Sequence, residues 1–296
     1  MDIKKYLDTV RELVDDALGD SVPSVNTYPE KIYESMRYSL LAGGKRLRPV
    51  LVIAAAEAVG GSRERVLPFA CAIEMIHTYT LIHDDLPALD NDDLRRGKPT
   101  NHVQFGEAVA ILAGDALLTL AFELMSDPAL AEESGPRNIL QACNEVAKQV
   151  GAKGTIGGQA LDIFSEGKEP DFPVLEYIHT HKTGKMILAS VRAGAILSGA
   201  SEEETLALSR YGEHIGLAFQ IVDDILDVEG QSEVIGKRVG SDINRQKMTY
   251  PALLGIAESC KTASGLIDNS IKALEPLGTR AEILIDIAEY IIARSF

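Results

Sequence analysis

Residues 108–122, AVAILAGDALLTLAF, carry a single charged side chain and are apolar almost all the way round a helical wheel. A helix of that kind is expected at the centre of a fold, covered by other helices. The rest of the chain supplies the covers. Ile3, Leu7, Val10, Leu13 and Val14 form an i, i+3, i+4 stripe, and Leu18 stands just before Gly19 as a stop. Similar patterns predict helices over 30–41, 50–59, 66–83, 107–125, 138–150, 174–198, 203–228, 250–258, 261–273 and 279–294. Period-two alternation and Asn-Gly or Asp-Gly hairpin turns are missing. Gly and Pro punctuation predicts loops at 19–29, 126–136 and 165–173. With no Pro/Ser linker, low-complexity stretch or repeat, the expected architecture is one all-α domain over residues 1–296.

Composition narrows the partners. A net charge of −15 argues against a nucleic-acid backbone or an anionic membrane as a general partner. It leaves room for an anionic small molecule, since a few local cations or metal ions reverse the sign inside one site. Cys71, Cys143 and Cys260 are widely spaced, which suggests neither a disulfide framework nor zinc. The N-terminus lacks the apolar core of a signal peptide. No apolar run approaches the 18 or so residues that span a bilayer. The expectation is a cytoplasmic protein with no integral membrane segment.

Two acidic clusters stand out. Asp84, Asp85, Asp90, Asp92 and Asp93 fall within ten positions, beginning where Pro87 bars an easy continuation of the helix. In QIVDDILDV, at 220–228, Asp223 and Asp227 are four apart and share one helix face, with Asp224 between them. Carboxylates among Ile221, Val222, Ile225 and Leu226 need a compensating partner. A solvated helix edge is the bland reading. A hard cation is the sharper one, because Mg²⁺ takes oxygen ligands and is commonly held by one or two carboxylates plus substrate phosphates. The spacing does not fit an EF-hand, and His and Cys are missing from both clusters, which disfavours zinc.

Four basic groups accompany the acids: GGKRLRP at 43–49, RRGKPT at 95–100, HKTGK at 181–185 and GKRVGSDINRQKMTYP at 236–251. The first is not a P-loop, because Ser39 stands where the first glycine would be and Arg46 replaces the Ser/Thr. Arginine forks and lysine point charges still suit a diphosphate. Any one group could be ordinary surface charge. Two aspartate clusters, each followed by Gly-flanked cations, point to metal-bridged diphosphates on facing helices.

These blocks, with EMIHTYTLIHDDLPALDNDDLRRGKPTNH, GGQALDI and FQIVDDILD, occur in an order that resembles the all-trans isoprenyl diphosphate synthases, over residues 30 to 255. DDLPALD looks like the longer form of the family's first aspartate-rich motif, and DDILD like its second. The likeness is strongest to bacterial farnesyl and plant-type geranylgeranyl diphosphate synthases. It implies an isoprenoid synthase type I fold, a large helical bundle around a deep central cavity, and usually a homodimer. It also implies the reaction: head-to-tail (1′-4) condensation of an allylic diphosphate with isopentenyl diphosphate. By position, Asp84 and Asp90 would bind Mg²⁺ (Mn²⁺ serving as well) from one wall, with Asp85 supporting. Asp223, with Asp224 and Asp227 near it, would bind Mg²⁺ from the other. Arg95, Lys182, Thr183, Gln220, Lys237 and Lys247 would hold the allylic diphosphate. Lys45, Arg48, His77 and Arg96 would hold isopentenyl diphosphate.

The same resemblance places the limit on product length at Tyr79 and Thr80. Bare helix geometry favours Thr80, four residues before Asp84, roughly 40° round the wheel and about 6 Å below it. Tyr79 is roughly 140° round. In the family an aromatic ring at that fifth position accompanies C15 products, so farnesyl diphosphate is expected, with C20 geranylgeranyl diphosphate as the alternative. Three rivals fit less well. A terpene cyclase would normally lack the second DDxxD motif and a second diphosphate site. A non-catalytic subunit of a heteromeric prenyltransferase would typically have lost aspartates or cations. A structural Ca²⁺-binding helical protein would leave the basic groups unexplained.

Overall fold

The apolar stripe of the N-terminus folds as α1 (Ile3–Ser21), whose buried residues Tyr6, Val10, Val14 and Leu18 recur every four positions. Asp2 caps it by accepting from the Lys4 backbone N–H, a contact worth about 1 kcal/mol. The computed structural model describes residues 2–169, 171–229 and 248–293. Next come α2 (Glu30–Leu40), α3 (Leu47–Ala58) and α4 (Arg63–Asp84). A hairpin of β1 (Leu94–Arg95) and β2 (Lys98–Pro99) separates these from α5 (Asn101–Phe105) and α6 (Glu107–Met125). Then follow α7 (Pro128–Ser134), α8 (Pro136–Val150), α9 (Thr155–Ser165) and α10 (Phe172–Ile178). A π-helical turn, His179–Gly184, joins α10 to α11 (Lys185–Leu197), and α12 (Glu202–Glu229) is the longest helix described. Beyond it lie α13 (Tyr250–Leu254), α14 (Ile256–Ala273), a 3₁₀ stretch (Glu275–Ala281) and α15 (Glu282–Ile292). The fold is all-α, the isoprenoid synthase type I architecture.

The helices that are covered all round are α3 and α11. Every residue of α3 from Val50 to Ala56 is buried, as is all of α11 from Met186 onward except Arg192. They pack on each other, with α4 on one side and α8 and α12 on the other. Each fully buried Leu, Ile, Val or Phe there contributes about 1.5–3 kcal/mol. The 28 residues of α12 span about 42 Å. The Tyr211 hydroxyl, fully buried on that helix, donates to the Leu284 carbonyl of α15 at 2.8 Å.

Several expectations need correcting. Helix α6 is not the covered centre: it turns Ala110, Ala113, Gly114, Leu117 and Ala121 inward and leaves Ile111 43% and Leu112 58% exposed. Both α4 and α6 are also long and apolar enough to cross a membrane by length and composition alone, against the reading that no such run exists. In α4 most of that stretch is buried within the protein, and in α6 about a third is. The loop expected over 126–136 holds α7, started by an Asp127 cap and Pro128. No helix was expected over 155–165, yet α9 forms there in spite of the low helix propensity of Gly157 and Gly158. The break expected near 259–260 lies at Gly255, where φ is +78°. The small hairpin forms without Asn-Gly: Arg96 (φ +52°) and Gly97 (φ +74°) supply the two positive φ values that the tight turn requires.

Candidate active site

One wall is built by the end of α4. The helix stops at Asp84, with Asp85 as its C-cap. The chain then folds back, so that the Asp90 N–H donates to the Asp84 carbonyl at 2.8 Å and the Asp92 N–H to the Asp85 carbonyl at 3.2 Å. That closure brings Asp90 beside Asp84 although six positions separate them. Asp85 turns away from the cavity and is buried at 2% exposure. Its carboxylate accepts from Arg95 Nε at 2.9 and 2.7 Å and from Nη2 at 2.5 Å, which fixes the hairpin against the helix end.

The opposite wall comes from α9, the π-turn and α12. The extra residue of the π-turn presents Lys182 and Thr183 inward. Gly158 permits this, because a Cβ there would lie 2.3 Å from the Lys182 backbone nitrogen. Lys182 Nζ donates to Asp162 Oδ2 at 2.7 Å. Burial works against its charge, but Asp84, Asp162 and Asp90 hold the ammonium above the usual lysine range. Carboxylates of both walls thus act on one lysine. The Thr183 hydroxyl donates to Gln220 Oε1 at 2.7 Å, and Gln220 Nε2 donates to Asp224 Oδ1 at 3.2 Å. The other oxygen of Asp224 meets His179 Nε2 at 2.7 Å and the Tyr250 N–H at 3.0 Å. Asp224 is therefore an anchor for three elements, while Asp223 and Asp227 line the cavity.

The third side is the start of α3. Arg46, at φ +49°, is buried and paired with Glu74 of α4 at 2.7 Å and Asp15 of α1 at 2.8 Å. This fixes the chain on both sides of it, Lys45 before it and Arg48 in the first turn of α3. Arg48 Nη1 donates to His77 Nε2 at 3.2 Å, so the imidazole proton belongs on Nδ1. Burial first, then the cations Arg48, Arg96, Arg95 and Arg46, push His77 well below the usual histidine range. At neutral pH it is an uncharged acceptor that orients Arg48. Arg48 Nε is buried without a hydrogen-bond partner, a donor held ready for an anion. Burial lowers this guanidinium too, with Glu74 and Asp223 opposing, so Arg48 and the second acidic cluster act on each other across the cavity. Arg96 donates to the Gly43 carbonyl.

Most of these groups face one cavity of about 880 Å³, at the upper end of the usual range for ligand sites. Lys45, Arg48, His77, Tyr79, Thr80, Asp84, Asp90, Arg95, Arg96, Lys182, Thr183, Gln220, Asp223, Asp224 and Asp227 line it. Of the candidates, Asp85 stands behind it, and Lys237 and Lys247 lie outside the described residues. Tyr79 and Thr80 both reach the wall, so the wheel argument for Thr80 alone does not hold. The Thr80 hydroxyl is committed to the His77 carbonyl at 2.7 Å, and the Tyr79 ring is 6% exposed. Asp162, His179 and Gln159 also line the cavity and were not singled out from sequence. The signal was a lone carboxylate and amide in the apolar run GGQALDI, and a histidine three residues before Lys182.

Two acid-lined walls, a cationic third side and an all-α frame define the isoprenoid synthase class of site. The polyprenyl synthetase family profile matches residues 29–282, and the chain belongs to that family. The geranylgeranyl diphosphate synthase of Cyanophora paradoxa is 48% identical, covering 98% of this chain and 96% of that one. The farnesyl diphosphate synthase of Geobacillus stearothermophilus is 47% identical, covering 99% and 98%. An apo crystal structure of an FPP/GFPP synthase from Zymomonas mobilis superposes with a TM-score of 0.87 at 37% identity, covering 98% of each chain. The protein is a prenyltransferase, a short-chain prenyl diphosphate synthase.

Proposed function

We propose that the enzyme makes mainly farnesyl diphosphate, by Mg²⁺-dependent condensation of isopentenyl diphosphate with dimethylallyl and geranyl diphosphates. The observation that carries this reading is the meeting of both acidic clusters and three of the basic groups in one cavity. The donor set fits Mg²⁺: Asp84, Asp90, Asp223 and Asp227 offer hard carboxylate oxygens from two facing walls. When bound, the metal supplies Lewis-acid neutralisation of the leaving diphosphate. Lys182, held charged by its acidic neighbours, and Arg95, aimed by Asp85, bind the same diphosphate and stabilise its charge as the C–O bond ionises. Lys45, Arg48 and Arg96 hold isopentenyl diphosphate, and neutral His77 orients Arg48. The cavity wall excludes water from the carbocation, and the released diphosphate accepts the final proton.

Tyr79 supports the C15 product. Its ring projects from α4 into the cavity wall one turn below Asp84, where an allylic tail would descend. Relatives of nearly equal identity carry both product names, so identity does not choose between them. Incubation with Mg²⁺, isopentenyl diphosphate and each allylic starter, with products identified by mass, tests the reading. Mostly C20 product overturns the length and leaves the reaction class standing. Tyr79→Ala is expected to yield C20 or longer.

We further propose a homodimer that covers the bare face of α6, since Ile111 and Leu112 are bulky apolar side chains turned outward on a helix two-thirds uncovered. Light scattering of the wild type and of Leu112→Glu tests it. A monomeric wild type would reject the arrangement.

A further inference from the structure

Tyr79 does not hold its position alone. Its ring meets the imidazole of His83 edge to face, with centroids 5.5 Å apart and planes at 84°. His83, one turn further along α4, faces α6, where its Nε2 lies 3.1 Å from the Ile111 carbonyl oxygen. A carbonyl only accepts, so Nε2 carries the hydrogen and the tautomer is fixed. Asp115 Oδ1, 3.9 Å from the same nitrogen, favours the same arrangement. The imidazole sits in a notch made by Gly114: a Cβ there would fall 2.2 Å from Nε2 and 2.5 Å from Cδ2. Helices α4 and α6 are packed along each other, so the notch belongs to a rigid pair.

We propose that His83, seated in the Gly114 notch of α6, is a positioning residue for the Tyr79 ring and thereby helps to set product length. The inference rests on the reading of Tyr79 as the cavity floor. An aromatic floor limits chain growth only if it resists displacement by an arriving isoprene unit. Tyr79 can yield only by turning about its own side-chain bonds, and the His83 ring stands against it at 5.5 Å between centroids. The hydrogen bond to Ile111 and the glycine notch keep His83 from moving with it. His83 also lines the cavity and Gly114 does not, so the Tyr79→Ala background is what separates holding the ring from a direct contact of His83 with the growing chain.

The test is the C20:C15 product ratio in His83→Ala, Gly114→Ala, Tyr79→Ala and the two doubles that include Tyr79→Ala. Losing one edge-to-face contact corresponds to a change of roughly 2- to 13-fold. The ratio in His83→Ala should rise by that factor, whatever happens to turnover. Gly114→Ala, which expels the imidazole from its notch, should change the ratio by at least the lower figure. In the Tyr79→Ala background neither substitution should alter the ratio further, because the ring they act on is gone. A purely structural His83 lowers turnover through its neighbour Asp84 and leaves the ratio untouched, which overturns the proposal. So do shifts of the same size with and without Tyr79. If Tyr79→Ala lengthens products while His83→Ala and Gly114→Ala do not, the inference fails and the floor stands. If Tyr79→Ala makes wild-type products, both fall together.

Discussion

Replacing Asp85 by Asn keeps the side-chain shape and removes the charge that faces Arg95. Both members are deeply placed, with side-chain exposures of 3% for Asp85 and 17% for Arg95. Breaking a buried pair by removing one partner costs about 3–5 kcal/mol, because the remaining charge is left uncompensated. For a chain of this size 1 kcal/mol corresponds to roughly 2 °C, so the melting temperature of Asp85→Asn should fall by about 6–10 °C. Arg95→Met, which leaves Asp85 alone, should cost as much. The double variant should cost far less than the sum of the two, since no unpaired charge remains. Urea denaturation of the four proteins closes the cycle. Mg²⁺ with inorganic pyrophosphate should raise the melting temperature of Asp85→Asn more than that of the wild type, because the anion gives Arg95 a new partner. A coupling energy below about 0.5 kcal/mol would refute the view that Asp85 is an anchor.

Asp84→Asn and Asp223→Asn should each lower turnover by two to three orders of magnitude or more, and chelation should abolish wild-type activity; near-normal turnover with intact folding would remove the metal assignment. Arg48→Ala and Lys45→Ala should raise KM for isopentenyl diphosphate by about one to two decades while affecting the allylic substrate less. Lys182→Ala should show the reverse preference, and equal losses for both substrates in both sets reject the two-site division. His77 gives a pH dependence of definite sign. Unfolded, it takes up a proton near pH 6.5, whereas folded it resists doing so until far lower pH. The unfolded state therefore binds more protons below 6.5, and the stability that neutral His77 provides is whole above that value and declines from there down to the much lower pH at which the folded imidazole itself takes up a proton. The slope is up to about 1.4 kcal/mol per pH unit. Urea unfolding between pH 7 and 5 should show a flatter decline in His77→Gln, and parallel declines contradict the assignment.

Most of the helical frame and the charged groups of both aspartate clusters were legible in the sequence, for a physical reason. Aspartates among Ile221, Val222, Ile225 and Leu226 conflict with their surroundings unless something compensates them, and such conflicts are visible in one dimension. What stayed hidden depends on neighbours. The apolar roundness of α6 reads the same whether another helix of this chain covers it or nothing in the chain does. In the helix over 155–165, Gly157 and Gly158 weaken the local signal. Gly158 is there for contact, since α9 must approach the backbone of the π-turn more closely than a Cβ allows. The hairpin was missed because Arg96 takes a turn position usually given to Asn, and it is held there by the Gly43 carbonyl. Asp162 is a single carboxylate in an apolar helix and His179 one of several polar residues in HTHKTG, and only their partners Lys182 and Asp224 identify them.

The doubled aspartates carry a constraint of their own. Adjacent residues on a helix point about 100° apart, so when the first of a pair faces the cavity the second is turned wholly, as at Asp85, or partly, as at Asp224, toward the surrounding protein. An unpaired carboxylate in that position is costly, and each pair meets the need differently. Asp85 accepts from Nε and Nη2 of Arg95, and so ties the cationic hairpin to the end of α4. Asp224 takes His179, Gln220 and the Tyr250 N–H, and so ties α12 to the π-turn and to the start of α13. The residue four positions on, Asp227, returns to the face of Asp223, which is why the cavity receives a spaced pair from that helix. In the first cluster no helix continues past Asp85, and the folded-back loop does the same work by returning Asp90 to Asp84. One dipeptide thus specifies both a group that faces the substrates and the brace that keeps its helix in place. Losing the second aspartate should therefore disturb the site through the fold, and losing the first should disturb the chemistry with the fold intact.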